Sequence, residues 1–225
     1  MLEQEQSLLE IQHIRNMMER SSRFISLSGL SGIAAGVCAL IGAWFANQVI
    51  SGHGGPSAFT HGRGFFEDLT LHDFINSRLL LIATLTFVAA LCASFVFTYL
   101  RSKDKNIPVW GSAAKRLLIN VAIPMIAGGI YIVRQVQLGN YGLVAPGCLI
   151  FYGLALINAS KYTLNEIRYL GYLQVILGLI NCWVIGYGLY FWAAGFGFLH
   201  IIYGVVMWYR YERVSLLNRG EAIKG

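Results

Sequence analysis

Long uncharged apolar stretches along this chain alternate with short clusters of charge. Residues 24–50 carry no charged side chain, residues 79–100 carry none, and 117–133 form a shorter run stopped by Arg134. From Gln135 to Ser160 the chain is again uncharged, its apolar part beginning near Tyr141, and a last charge-free run extends from Tyr169 to Tyr209. A helix crosses a bilayer with roughly 20 apolar residues. The first four runs therefore predict one span each, and the last, about twice the spanning length, predicts two. The small-residue stretch Ala193-Ala194-Gly195-Phe196-Gly197 is the expected turn between them, because glycine accepts the backbone angles of a reversal. The pattern thus predicts six helices at 24–49, 74–100, 115–136, 141–160, 166–191 and 195–211, an all-α polytopic membrane protein. The alternating ten-residue segments of a membrane barrel are absent from the sequence.

Two flanks complete the organisation. Ser7-Leu8-Leu9-Glu10 is a capping box, and after it Ile11, Ile14, Met17 and Met18 fall opposite Gln12, Arg15, Asn16, Glu19 and Arg23. Residues 1–23 are therefore expected to form a cytoplasmic amphipathic helix on the membrane surface or against the bundle, with docking of a partner protein as the alternative. Residues 24–213 form the membrane domain and 214–225 a cytoplasmic tail. Two further boxes, Thr70 with Asp73 and Thr163 with Glu166, assign those carboxylates to helix capping before any catalytic role.

Composition sharpens the class. Only 12% of the 225 residues are charged and 56% are hydrophobic, whereas a soluble domain carries roughly 25% charged residues. A soluble globule, a disordered chain and a disulfide scaffold are all excluded. The basic residues also report orientation, since cytoplasmic loops hold their excess. Arg15, Arg20, Arg23, Arg101, Lys103, Lys105, Lys115, Arg116, Lys161, Arg168, Arg210, Arg213, Arg219 and Lys224 fall on one side, and Arg63, Arg78 and Arg134 on the other, fourteen against three. Both termini are thus expected in the cytoplasm, most simply of a bacterium with this chain in its inner membrane. The net charge of +6 records topology and contact with anionic lipid, not nucleic-acid binding. The polar, acidic start argues against a cleaved signal peptide. Cys38, Cys92, Cys148 and Cys182 all lie inside expected spans and read as reduced packing residues.

Candidate chemistry is sparse. Ser28, Gly32 and Gly36 form a small-residue stripe with Ala35, Ala39 and Ala43 beside it, which predicts close packing of the first helix or a homo-oligomer through that face. The long loop after this helix holds His53 and His61, with His72 at its far end. Its spacing matches no metal-ligand pattern, and a metal site of these three is only a secondary alternative. His200 lies about 9 Å below the expected turn, and an ionisable group at that depth is a functional candidate. With Arg134, His72 and Asp73 placed on the same side, the four are expected to converge on a polar pocket. Asn181, Trp183, Tyr187 and Tyr190 would wall it, while Asn120, Asn158 and Gln174 are explained by interhelical hydrogen bonds.

The rhomboid-type Gly-x-Ser motif, a second deep histidine for haem, zincin and P-loop motifs, a potassium filter and any mid-span carboxylate are missing from the sequence. The leading expectation is a bundle that binds a small apolar or amphipathic ligand as a sensor, carrier or accessory subunit. The alternatives are a membrane enzyme with an outer-face His/Arg site and an oligomeric channel. No cofactor can be assigned from these residues.

Overall fold

The structure is a computed structural model and describes residues 28–52, 78–104 and 111–213. Among these the secondary structure is all helical. Helix α1 is Gly29–Gly52, α2 is Arg78–Asp104 and α3 is Ser112–Gln137. A single 3₁₀ turn, Tyr141–Leu143, leads into α4, Val144–Ala159, and α5 is Glu166–Trp183. The last helix, α6, covers 188–213 and changes pitch along its length. It is α-helical over Gly188–Trp192, widens to a π-helix over Ala193–Leu199, returns to α over His200–Met207 and widens again over Trp208–Arg213. The expected amphipathic helix of residues 1–23, the tail 214–225 and the capping boxes of Ser7 and Thr70 lie outside the described residues.

Five of the six helices, α1 to α4 and α6, are long and apolar enough to span a membrane. The protein is an all-α, multi-pass membrane protein. Helix α5 is as long as a short span, 18 residues, but less apolar, because it carries Glu166, Arg168, Gln174 and Asn181. Its buried residues, Ile167, Leu170, Gly171, Gln174, Gly178 and Asn181, recur every three or four positions and define one inward face. The polar residues of that face point into protein, while Leu173, Ile176 and Ile180 on the other side are exposed to lipid.

Small residues set the packing. Gly153 of α4 and Gly171 of α5 meet so closely that a Cβ on either would lie within 2.8 Å of the other's carbonyl oxygen. In a bilayer, where no water drives helices together, such close approach is a main source of adhesion. The stripe on α1 works in the same way against α6. A Cβ at Gly32 would sit 3.2 Å from Gly204 Cα, and one at Gly36 would sit 2.7 Å from the Gly197 oxygen. The face expected to support a homo-oligomer is therefore covered within the chain by α6, because α6 offers glycines in matching register. Helix α2 packs along α1, where Gly42 receives the Thr86 side chain, and α3 packs along α4, where Gly128 receives Phe151. No residue in the most apolar stretch of α2 is buried. Helices α2 and α3 are thus the lipid-covered flanks of a core made by α1, α4, α5 and α6.

The turn between the last two helices is not where the small residues suggested. The reversal occurs over Val184–Tyr187, with Gly186 at φ 100°, a left-handed angle that glycine adopts freely. Asn181 Nδ2 fastens it by donating to the Val184 carbonyl oxygen at 3.1 Å. The stretch Ala193–Gly197 is instead inside α6. Pro146 falls in the first turn of α4, where its missing N–H leaves no helix bond unmade. At the opposite end of the bundle from this turn, Arg210 pairs with Glu166 at 3.1 Å. Asn165 occupies the N-cap position of α5 and its side chain makes no capping bond, while Thr163, two residues before it, is buried.

Candidate functional site

Two features stand out in the bundle, a polar cluster at its centre and an apolar cavity at one end. The cluster begins at Gly195. Its carbonyl oxygen accepts from Gln174 Nε2 at 2.8 Å and from His200 Nδ1 at 2.9 Å. A carbonyl drawn to two side-chain donors leaves the regular helix ladder, and the chain widens there into the π-helical stretch. Because a carbonyl only accepts, Nδ1 of His200 carries the proton, and in the neutral ring Nε2 accepts from the Tyr152 hydroxyl at 2.8 Å. Phe196 stacks on His200 and also lies against Tyr152 and Trp192, with ring centres 6.0, 5.0 and 5.0 Å away. Both ring nitrogens of His200 are thus engaged inside the protein, and the residue is 7% exposed. This arrangement joins α4, α5 and α6. It offers a reactant no free nitrogen.

The other expected site residues are placed apart. Arg134 is exposed on α3 and bonds Gln137 at 3.4 Å, sharing no partner with His200. Trp183 is 90% exposed at the end of α5, and Tyr187 and Tyr190 lie half outside with their rings 6.2 Å apart. Asn181 is fully buried and serves the turn. The expected convergence of His200 with Arg134 does not occur, because His200 faces the α4–α5 side of α6 while Arg134 lies on the flank helix. His72, Asp73, His53 and His61 lie outside the described residues. Among the described residues no group of histidine, cysteine or carboxylate side chains is arranged to hold a metal, and the four cysteines are free thiols.

The cavity has a volume of about 310 Å³. It is open on one side and is bounded by the closing turns of α1 around Ala43, Ala46 and Ile50, the opening turns of α2 around Leu79 and Ala83, and the start of α4 from Tyr141 to Cys148. The turn at Ile185 and Gly186 and the first residues of α6, from Gly188 to Trp192, complete it. Among the described residues no charged side chain lines it. Comparison with known protein families, curated proteins and solved structures finds no match. The site must therefore be read from its own chemistry. Its volume lies at the lower end of the roughly 300–1,000 Å³ typical of small-molecule sites, and is about twice that of an engineered 150 Å³ cavity that admits benzene.

Sequence reasoning missed these lining residues because it looked for ionisable groups. A usable signal was present. Small residues gather at the element ends that share one side of the membrane: Gly42, Ala43 and Ala46, then Gly142 and Ala145, then Gly186 and Gly188.

Proposed function

We propose that this multi-pass membrane protein binds a small apolar or amphipathic molecule in the cavity between α1, α2, α4 and α6, acting as a sensor, carrier or accessory subunit with no chemistry of its own. The observation that carries the reading is a largely apolar cavity of about 310 Å³, lined by no charged side chain among the described residues. A void of this size lined by aliphatic groups forfeits packing energy in proportion to its volume, and an apolar occupant restores it. The polar cluster around His200 supports the scaffold side of the reading, since its hydrogen bonds are directed at holding α6 in place.

The same reading includes orientation. The described basic residues gather at one end of the bundle, with Arg101 and Lys103 closing α2, Lys115 and Arg116 opening α3, and Arg168 and Arg210 beside them. Arg78 and Arg134 stand at the cavity end. This asymmetry supports cytoplasmic termini, a cavity in the outer leaflet and a bacterial inner membrane.

The test is native mass spectrometry of the protein released from mild detergent, beside Ala46→Phe, which places a ring in the cavity. The wild type should carry or take up an apolar small molecule, and the variant should fold with unchanged helicity yet lose it. Equal uptake by both proteins, or none by the wild type from any apolar compound offered, rejects the reading.

A further inference from the structure

Four residues with polar side chains line the cavity: Thr86, Tyr141, Cys148 and Trp192. Two of them are unspent. Thr84, one turn before, returns its hydroxyl to the Leu80 carbonyl at 2.8 Å, the usual resource of a threonine in a membrane helix. Thr86 makes no such bond and has no hydrogen-bond partner among the described residues. Trp192 packs its ring on Phe196, centres 5.0 Å apart, and its indole N–H likewise has no partner among them. An indole N–H is a donor only, and a ligand that covers it without offering an acceptor leaves it unpaired at a cost. Among the described residues no charged side chain lines the wall, and Arg78 and Arg134, at the same end of the bundle, are not part of it, so an ionised head group lodged there would lose hydration without a counter-charge in the wall.

We infer that the ligand is an uncharged, lipid-soluble molecule with an oxygen acceptor, a carbonyl or a hydroxyl, in its head. The head accepts from Trp192 Nε1–H beside the Thr86 hydroxyl, and the apolar body fills the space between Ala46, Ile50, Leu79 and Ala83. With a liquid-water share of about 30 Å³ per molecule as a yardstick, the cavity encloses on the order of ten heavy atoms, so a larger ligand leaves its remaining length in the bilayer. This inference rests on the reading of the cavity as a ligand site, and adds to it the charge and the hydrogen-bonding sense of the ligand.

A ten-carbon probe series separates the two. Decane, decan-2-one, decan-1-ol, decylamine and decanoate share a chain and differ in the head. Their affinities are measured by native mass spectrometry and by quenching of tryptophan emission in micelles, for the wild type, Trp192→Phe and Thr86→Val. The ketone and the alcohol should bind tightest, the two ions at least tenfold more weakly. Trp192→Phe should weaken the ketone about three- to tenfold, the worth of one hydrogen bond, while leaving decane unchanged. Decane binding as well as the ketone, an ion binding best, or an unchanged ketone affinity in Trp192→Phe overturns the inference and leaves the cavity reading standing. Failure of all five to bind the wild type overturns the cavity reading itself. Should Trp192→Phe fail to fold, Thr86→Val, which keeps side-chain shape and lowers alcohol affinity by a similar factor, carries the test.

Discussion

Tyr152 on α4 donates its hydroxyl hydrogen to His200 Nε2 on α6 at 2.8 Å. The pair clamps two helices that are far apart in sequence, and His200 completes the clamp by donating to the Gly195 carbonyl. Tyr152→Phe leaves an acceptor unpaired in the bundle and should lower stability by about 0.5–2 kcal/mol, measured as the midpoint of unfolding by SDS in micelles. Uptake of the apolar probes should be unaffected, because His200 does not line the cavity. Loss of uptake without loss of stability would place the functional centre at His200 instead.

Gln174 holds the widened stretch of α6 from α5. Replacing it by Leu keeps much of the side-chain volume and removes the donor to the Gly195 carbonyl. Amide hydrogen exchange over residues 193–200 should quicken severalfold, about the effect of losing 1 kcal/mol of local stability, while exchange in α3, the distant flank, stays as it was. Uniform acceleration along the chain would show that the bond serves global stability only.

The glycine crossings predict opposite outcomes for one chemical change. Gly153→Ala drives a methyl group against the α5 backbone at 2.7 Å and should cost on the order of 1–3 kcal/mol. Gly129→Ala, on the open side of α3 with nothing within 4 Å of its new methyl, should stabilise by about 0.5–1 kcal/mol through helix propensity. The two variants compared by thermal unfolding in one detergent decide whether the crossing or the propensity dominates.

The Arg210–Glu166 pair should matter little. Its arginine side chain is 65% exposed though its glutamate is only 17% exposed, and a pair with one partner so open to solvent contributes about 1 kcal/mol or less. Arg210→Ala should therefore move the unfolding midpoint slightly at low salt and not at all near 1 M salt, where screening acts within roughly 3 Å.

How the chain reads as sequence depends on which interaction controls each feature. The spans were legible because charge cannot enter hydrocarbon cheaply, so Arg134 and the Arg101–Lys105 cluster mark helix ends whatever the tertiary structure. The last turn was misplaced because Ala193–Gly197 and Ile185–Gly188 both offer glycine, and only the grip of Gln174 on Gly195 decides which stretch stays helical. The stripe of α1 was visible, but its partner was not, since a glycine face fits a second copy and α6 equally well until register is known. The small-residue pattern puts His200 about 9 Å from a turn that in fact lies further back, at Val184–Tyr187, and its engagement by Tyr152 and Gly195 depends on three-dimensional placement that spacing along the chain does not encode.

The seam between α1 and α6 joins the first and last of the described helices. During synthesis the glycines of α1 enter the membrane with nothing to lie against, and α2 through α5 must all be made before Gly197 and Gly204 emerge. The nascent protein is therefore an open, half-zipped assembly until its final helix arrives, and any chain ending before residue 188 keeps an adhesive strip uncovered for other membrane helices or for the quality-control machinery to seize.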